Sequence, residues 1–510
     1  MKNIILCSDG TGNSAIKGRG TNVFKLFEAV DLNEHLANPA LDAQLAFYDD
    51  GVGTEGVVFK RAIGGATGWG LKSNVKQLYR ELSRVYDDGD RIFLFGFSRG
   101  AFTVRTLAGM IGLCGVLKGE SFATAHALRA AVDEVYITYR ARYNSTLTRF
   151  IGRMRGQLAG EDAVTAFCDR FSKRDQLSVY APIAFIGVWD TVDAVGMPFS
   201  IADIVNRRIF PFKFWATGLG AHVQKARHAL SIDDPRVAFE PVLWDGPDDR
   251  IEQVWFSGVH SNVGGGYPKQ GMSLVALDWM LAHAEKEGLR LLKLDHELFR
   301  GHASVDDMMY DPRSGLGVFY RWAPRDIRAY SKRINESPRI HLTVAERIAH
   351  GTDDYAPGNI PPNAIVAFTP PAPHDPEREE KSRVLRHRAE AIQAAIQQAL
   401  KGGYLLESVK SELALGHASY WLFMASWAGF IVAGLGAAAA AVLHRPDWSY
   451  WVSPVLVASV AGFVTAVVLA RRAENGMNDR FSLFWQKHQK DLRAALKQAH
   501  QDARDDKVRT

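Results

Sequence analysis

The stretch RIFLFGFSRGAF, residues 91–102, sets Ser98 between Gly96 and Gly100 at the end of an apolar run. A serine in G-x-S-x-G, with a strand before it and a helix after it, has the setting of a nucleophile elbow, and the chemistry it would serve is attack on a carbonyl carbon. The flanking glycines let strand and helix approach without side-chain collision, and a strained turn lifts the hydroxyl clear of the sheet. The same pattern also fits a plain packing turn.

A serine hydroxyl needs a base, and the base needs a group to orient it. In the hydrolase chain order the acid and then the histidine follow the serine. His260 ends QVWFSGV and opens the glycine-rich HSNVGGGYP, and position selects it from 16 histidines. His222 and His228 fall in helix-like sequence and read as packing or surface residues. For the acid, Asp190 closes the apolar run IAFIGVWD; Asp193 in the same loop and Asp233 in ALSIDDPR compete with it. A developing oxyanion requires two N–H donors. One is that of Arg99, next after the serine; SDGTGN offers those near Gly10 and Thr11, with Asp9 bracing the loop. On local chemistry alone SDGTGN reads equally as an ordinary turn.

These residues require a sheet to present them. Residues 1–350 alternate strand-like and helix-like segments, the pattern of an α/β domain with a mostly parallel sheet. NIILCS, AQLAFYD, RIFLF, APIAFIGVWD and IEQVWFSGVH read as strands. Leu71, Val75, Leu78, Leu82 and Val85 share one face of a helix over 69–86, and AFTVRTLAGMIGL forms a helix after the elbow. Residues 115–180 read as a helical insertion or cap. No phosphate-loop or metal-binding spacing is present: in GGATGWGLKS, Leu71 separates the glycine from Lys72 and Ser73.

The remainder changes character. Residues 351–376 are proline-rich and read as an irregular connection or extended arm, and 377–418 as a helical linker. Residues 419–443 and 449–470 carry no charge, and each is long enough as a helix to cross the ~30 Å hydrocarbon layer. With Trp421, Trp448, Tyr450 and Trp451 near their ends, 419–470 reads as a transmembrane helical hairpin; a buried hairpin is the competing reading. Residues 471–510 form a basic amphipathic tail, set to lie on the membrane or to pair with another helix. Arg471, Arg472, Arg480 and Lys487 outweigh Arg445 in the tight loop, which places domain and tail on the cytoplasmic side of the inner membrane. The apolar run at Ile4–Cys7 is far too short for a signal peptide.

Of 510 residues, 61 are basic and 56 acidic, an excess too small, without an arginine–aromatic stripe, to indicate a nucleic-acid partner. Cys7, Cys114 and Cys168 lack zinc or disulfide spacing and read as buried thiols.

SDGTGN, YDDGVGT, the long run from GATGWGLKS through GFSRGAFTVRTLAGMI, VWDTVDAVG, ALSIDDPRVAFEP and VWFSGVHSNVGGGY occur in that order over about residues 3–280. Together they resemble a bacterial and fungal α/β-hydrolase domain family related to the type VI secretion lipase effectors. The resemblance implies Ser98 as nucleophile, Asp190 as acid and His260 as base, with Asp9, Gly10 and Thr11 as the family's initial D-G-T. It also implies phospholipase or carboxylesterase activity in some members. Two departures stand out: Asn262 replaces the usual aspartate of the histidine loop, and SDGTGN lacks the aromatic and the tryptophan that usually flank its motif.

The sequence therefore predicts an α/β-hydrolase-like, mostly parallel sheet with helical insertions, a C-terminal transmembrane hairpin and a tail helix. The expected function is a membrane-anchored serine hydrolase of carboxylic esters, phospholipid acyl esters foremost, with no cofactor and no metal. Its partners are an ester or lipid substrate and the membrane; self-association stays open. The alternatives are a non-enzymatic membrane scaffold or toxin-like module on a hydrolase fold, and an interbacterial lipase effector.

Overall fold

The structure is a computed structural model, and it describes residues 1–10, 20–50, 69–142, 161–192, 218–314, 320–373, 375–443 and 449–509. Eight strands form one sheet: β1 (Lys2–Ser8), β2 (Ala43–Asp49), β3 (Arg91–Phe97), β6 (Ile183–Trp189), β7 (Val223–Ser231), β8 (Ile251–Phe256), β9 (Arg339–His341) and β10 (Ile365–Ala367). Their order is β10-β9-β8-β7-β6-β3-β1-β2, and every neighbouring pair is parallel. A small antiparallel ladder joins β4 (Val116–Leu117) to β5 (Leu177–Ser178).

Both faces of the sheet are covered because its strands are apolar at both parities. Ile4, Leu6, Ile92 and Leu94 pack beneath the helices Trp69–Val85 and Arg99–Cys114. Ile5, Cys7, Phe93, Phe95 and Phe97 pack on the other face, against the helices Asn22–Ala29 and Gly271–Lys286. The described part of the 115–180 insertion packs against the first of these helix layers, through Val132 and Val135 of Ala125–Arg142.

After β1 the chain steps to β2 on one side and then to β3 on the other. That reversal leaves a crevice at the carboxyl ends of β1 and β3, where parallel sheets bind ligands. Asp9 and Gly10, after β1, and the Ser98 turn, after β3, both lie at this crevice.

Three segments differ from their sequence readings. Residues 223–231, including His228, form a central strand rather than a helix; VQKARHALS carries no clean alternation, because the partly exposed Gln224, Lys225 and Arg227 fall on both parities and the end of the strand, His228–Ser231, is wholly buried. The proline-rich 351–376 segment supplies β10 through Ile365–Ala367. The tail continues the second apolar helix without a break, from Ser449 to Arg509. Trp485 and Leu492 of that helix are buried in a third cluster with Ile392 and Ile348, and the Trp485 indole N–H donates to the Pro357 carbonyl at 2.8 Å.

The helices Lys410–Val442 and Ser449–Arg509 contain stretches long and apolar enough to cross a membrane, and their most apolar windows are only 17% and 11% buried. They pair antiparallel: Ser426 lies against Gly462, Gly429 against Ser459 and Gly436 against Val452. Small residues at each crossing allow close backbone approach, as in helix pairs within lipid.

Candidate active site

Ser98 follows β3 and starts the helix Arg99–Cys114, with φ 58° and ψ −121°. A side chain in that region is strained by of order 1–3 kcal/mol, and such strain persists only where its surroundings fix it. Here they do. A Cβ at Gly96 would stand 2.6 Å from the Gly100 carbonyl oxygen, and one at Gly100 would run into the carbonyls of Ser8 and Asp9. The two glycines therefore set the helix hard against both β3 and the end of β1. The Ser98 N–H donates to the Trp189 carbonyl at 3.0 Å, which fastens the turn to the end of β6.

Asp190, next after Trp189, is fully buried and also has a positive φ, 38°. Its Oδ2 lies 2.6 Å from His260 Nδ1. Its Oδ1 accepts the Ser231 N–H at 3.0 Å. Arg325 grips both oxygens, at 2.7 and 2.9 Å, and also donates to the Ser231 and Phe239 carbonyls, each at 2.6 Å. Burial by itself would raise the Asp190 pKa; the Arg325 charge and the bonds from His260 and Arg325 instead hold it well below the usual carboxylate range. Arg325 is raised in turn by the same pairing, against its own burial.

With Asp190 ionised, the proton between the two groups sits on His260 Nδ1 and leaves Nε2 as an acceptor. Nε2 is buried and has no hydrogen-bond partner among the described residues. The imidazole lies 4.6 Å from the Phe97 ring, one residue before Ser98, and meets Phe239 edge-on at 4.9 Å. Gly264 permits this approach, since a Cβ there would enter the Phe97 ring. Burial lowers the His260 pKa below 6.5, and the Asp190 bond only partly offsets it.

The other acids near the histidine bind its loop. Asp234 accepts the His260 N–H at 3.1 Å and pairs with Arg236 at 2.7 Å. Asp233 accepts the Gly258 N–H and the Tyr355 hydroxyl, at 2.6 and 2.9 Å. Asp193 lies outside the described residues. Asn262 accepts the Val259 N–H and donates to the Met308 carbonyl at 3.1 Å, a bond that an aspartate could not make. His228 is buried, accepts the Thr191 N–H and faces Gln253; burial pushes its pKa down to about 3. His222 packs against Gly112 and the Ala108 carbonyl.

Asp9 is buried at the crevice and accepts the hydroxyls of Thr21 and Tyr48, each at 2.6 Å. It also accepts the Gly10 N–H at 2.6 Å. Thr11 lies outside the described residues, while Arg99 opens the helix behind Ser98. Among the described residues no three His, Cys, Asp or Glu side chains converge as a metal site.

Sequence reasoning missed Arg325, Ser231, Asp234 and Phe239. Arg325 stands in the unremarkable RWAPRDIR, so nothing local marks it. Asp234 lies three residues past the end of β7 at Ser231, at the carboxyl ends of the strands, where the sequence run ALSIDDPR turns from apolar to acidic.

The family model for the type VI secretion phospholipase effector Tle1-like catalytic domain matches residues 2–283, more than half of the chain. An uncharacterised protein of Saccharomyces cerevisiae is 28% identical over 259 residues, which are 48% of this chain and 33% of that protein. The chain thus spans about a third of that relative's length. The crystal structure of an uncharacterised protein from Pseudomonas aeruginosa matches with a TM-score of 0.34 and 18% identity, covering 78% of this chain and 59% of its own.

Proposed function

We propose that this chain, which belongs to the Tle1-like phospholipase effector catalytic domain family, is a serine hydrolase that cleaves phospholipid acyl esters from a membrane-anchored position. The observation that carries the reading is the buried Asp190–His260 bond of 2.6 Å, with the imidazole 4.6 Å from the Phe97 ring, beside a strained Ser98.

In this reading Ser98 Oγ attacks the ester carbonyl carbon, and His260 Nε2 takes its proton. Asp190 keeps the proton already on Nδ1 in place and stabilises the imidazolium that forms. The tetrahedral oxyanion is held by the Arg99 N–H and by a donor from the Gly10–Thr11 loop. For Gly10 to serve, its N–H must leave the Asp9 carboxylate. Collapse of the intermediate returns the proton from Nε2 to the leaving alkoxide, and water repeats the sequence on the acyl-enzyme.

The two apolar helices support membrane anchoring by length, composition and outward-facing surface. The basic flank at Arg471 and Arg472 supports the cytoplasmic side of the inner membrane for the domain. Anchoring raises the local lipid concentration without any new contact to substrate.

The test is labelling of the full chain in detergent with a fluorophosphonate probe. Labelling of wild type that vanishes in Ser98→Ala supports the reading, and release of fatty acid and lysolipid from phospholipid vesicles by wild type alone supports the substrate. A wild type that stays unlabelled beside a labelled control hydrolase overturns the serine mechanism.

A further inference from the structure

Where the two apolar helices meet the catalytic body, a cavity of about 260 Å³ opens between them and the segment that leads into Arg325. Its floor is made by the hairpin: Tyr420 and Phe423 from one helix, Ala466, Val467 and Ala470 from the other. Its wall on the catalytic side is Tyr320 and Trp322. Trp322 is nearly buried and fits over Gly416, where a Cβ would stand 2.9 Å from the indole ring. Its rim is charged, with Arg471 at the end of the second apolar stretch and an Arg313–Glu474 pair at 3.4 Å.

The cavity lies at a defined depth. Residues 419–423 begin the first uncharged stretch and 466–470 end the second, so it sits where hydrocarbon gives way to headgroups. An apolar floor under two guanidiniums and two carboxylates, Asp311 and Glu474, is complementary to the upper acyl chain and the zwitterionic headgroup of a phospholipid. Its volume is a little below the roughly 300–1,000 Å³ of sites that enclose a drug-sized ligand, so it would hold that part of a lipid and leave the rest in the bilayer.

The cavity also touches the site. Tyr320 meets Phe239 edge-on at 5.4 Å, and Phe239 meets His260 at 4.9 Å. Two aromatic rings therefore separate the lipid-facing wall from the imidazole. We infer that this cavity is a phospholipid-binding site at the membrane surface, from which a lipid passes by Tyr320 and Phe239 toward Ser98 and His260. Occupancy rests on the hairpin lying in a bilayer, and the passage rests on the hydrolase reading.

The test uses the full chain in phosphatidylcholine vesicles doped with a phosphatidylcholine that carries a photoactivatable diazirine near the headgroup end of one acyl chain. Adducts on Tyr320 or Trp322, which face the catalytic body, are expected. Ala470→Trp should fill the floor and lower them about tenfold, a 1.4 kcal/mol loss of occupancy, while adducts on the outward-facing Val457 and Val464 persist. Adducts confined to the outward faces, or adducts on Trp322 indifferent to Ala470→Trp, overturn the inference whether or not the enzyme is active. In parallel, Ala470→Trp should lower hydrolysis of vesicle phospholipid about tenfold more than it lowers that of soluble p-nitrophenyl acetate. An equal fall on both substrates overturns the passage. Failure of the hydrolase reading is seen separately, in an unlabelled Ser98.

Discussion

Arg325 closes on Asp190 with two hydrogen bonds, 2.7 Å to Oδ1 and 2.9 Å to Oδ2, inside a site where both side chains are almost wholly shielded from water. The carboxylate that faces His260 is thus also one half of a buried ion pair. Arg325 stands beyond residues 2–283, the span matched by the family model, so a side chain from outside that span neutralises Asp190 within it. The next residue, Asp326, caps its helix and accepts the Tyr404 hydroxyl at 3.0 Å, which ties this arm to the base of the hairpin.

Replacing Arg325 tests this arrangement as a positioning contact. Its guanidinium, paired with the carboxylate that meets His260, carries the same sign of charge as an imidazolium formed there; Arg236 and Asp234 also act on His260, with opposite signs. In Arg325→Met the imidazolium becomes easier to form, so the acid limb of kcat/KM for a soluble ester should move to higher pH. kcat should fall about 10²-fold or more, as the imidazole loses its fixed partner. Arg325→Lys should recover part of the activity, and added guanidinium part of it in Arg325→Ala. An unmoved acid limb in an active variant would count against it.

In the wild type, burial, joined by the Arg236 charge, holds His260 below its ordinary value of 6.5, and Asp190 and Asp234 offset it only in part. The neutral, proton-accepting form therefore persists into mildly acidic solution. The acid limb of kcat/KM should lie below pH 6.5, measured with an uncharged short-chain ester so that the substrate does not titrate. Asp190→Asn should lower kcat about 10⁴-fold, because an amide favours the wrong tautomer of the imidazole.

Strain at Ser98 gives a prediction about stability. Ser98→Ala keeps a Cβ at φ 58° and should leave the melting temperature nearly unchanged, whereas Ser98→Gly should relieve about 1–2 kcal/mol and raise it. Both should abolish probe labelling. Equal melting temperatures for the two variants would show that the turn stores no strain.

Gly100 is the tightest point between the elbow helix and β1. Gly100→Ala drives a methyl into the carbonyls of Ser8 and Asp9, which cannot give way without moving the strand. Thermal or denaturant unfolding should show a loss of about 2–3 kcal/mol, together with lost labelling. Gly301→Ala is the control: its Cβ meets nothing within 4 Å, and the helix should gain up to about 1 kcal/mol.

Asp49, buried at the end of β2 beside Ser8, has its pKa pushed up to about 7 by desolvation. The folded chain therefore binds a proton that the unfolded chain releases near pH 4. Stability should fall as pH rises from about 4 to 7, by about 2–4 kcal/mol from this group. Asp49→Asn, which can still accept from Ser8, should flatten that slope in melting temperatures measured across the range.

The sequence by itself determined the elements that carry chemistry. Strand, tight turn and helix around Ser98 are local, and apolar runs ending in Asp190 and His260 mark strand ends because a buried strand must stop where polar groups begin. The two uncharged stretches declare their length as directly. Only the tertiary structure decided which groups meet. β7 mixes the polar Gln224, Lys225 and Arg227 with small apolar residues and carries no clean alternation, so His228 resembles a helix residue in the sequence. The partner of Asp190 comes from 135 positions away, and no local pattern marks an arginine whose only signal is the carboxylate it will find. Burial fixed that pairing: an ionised aspartate wholly shielded from solvent is stable in this fold because Arg325, His260 and Ser231 reach it together.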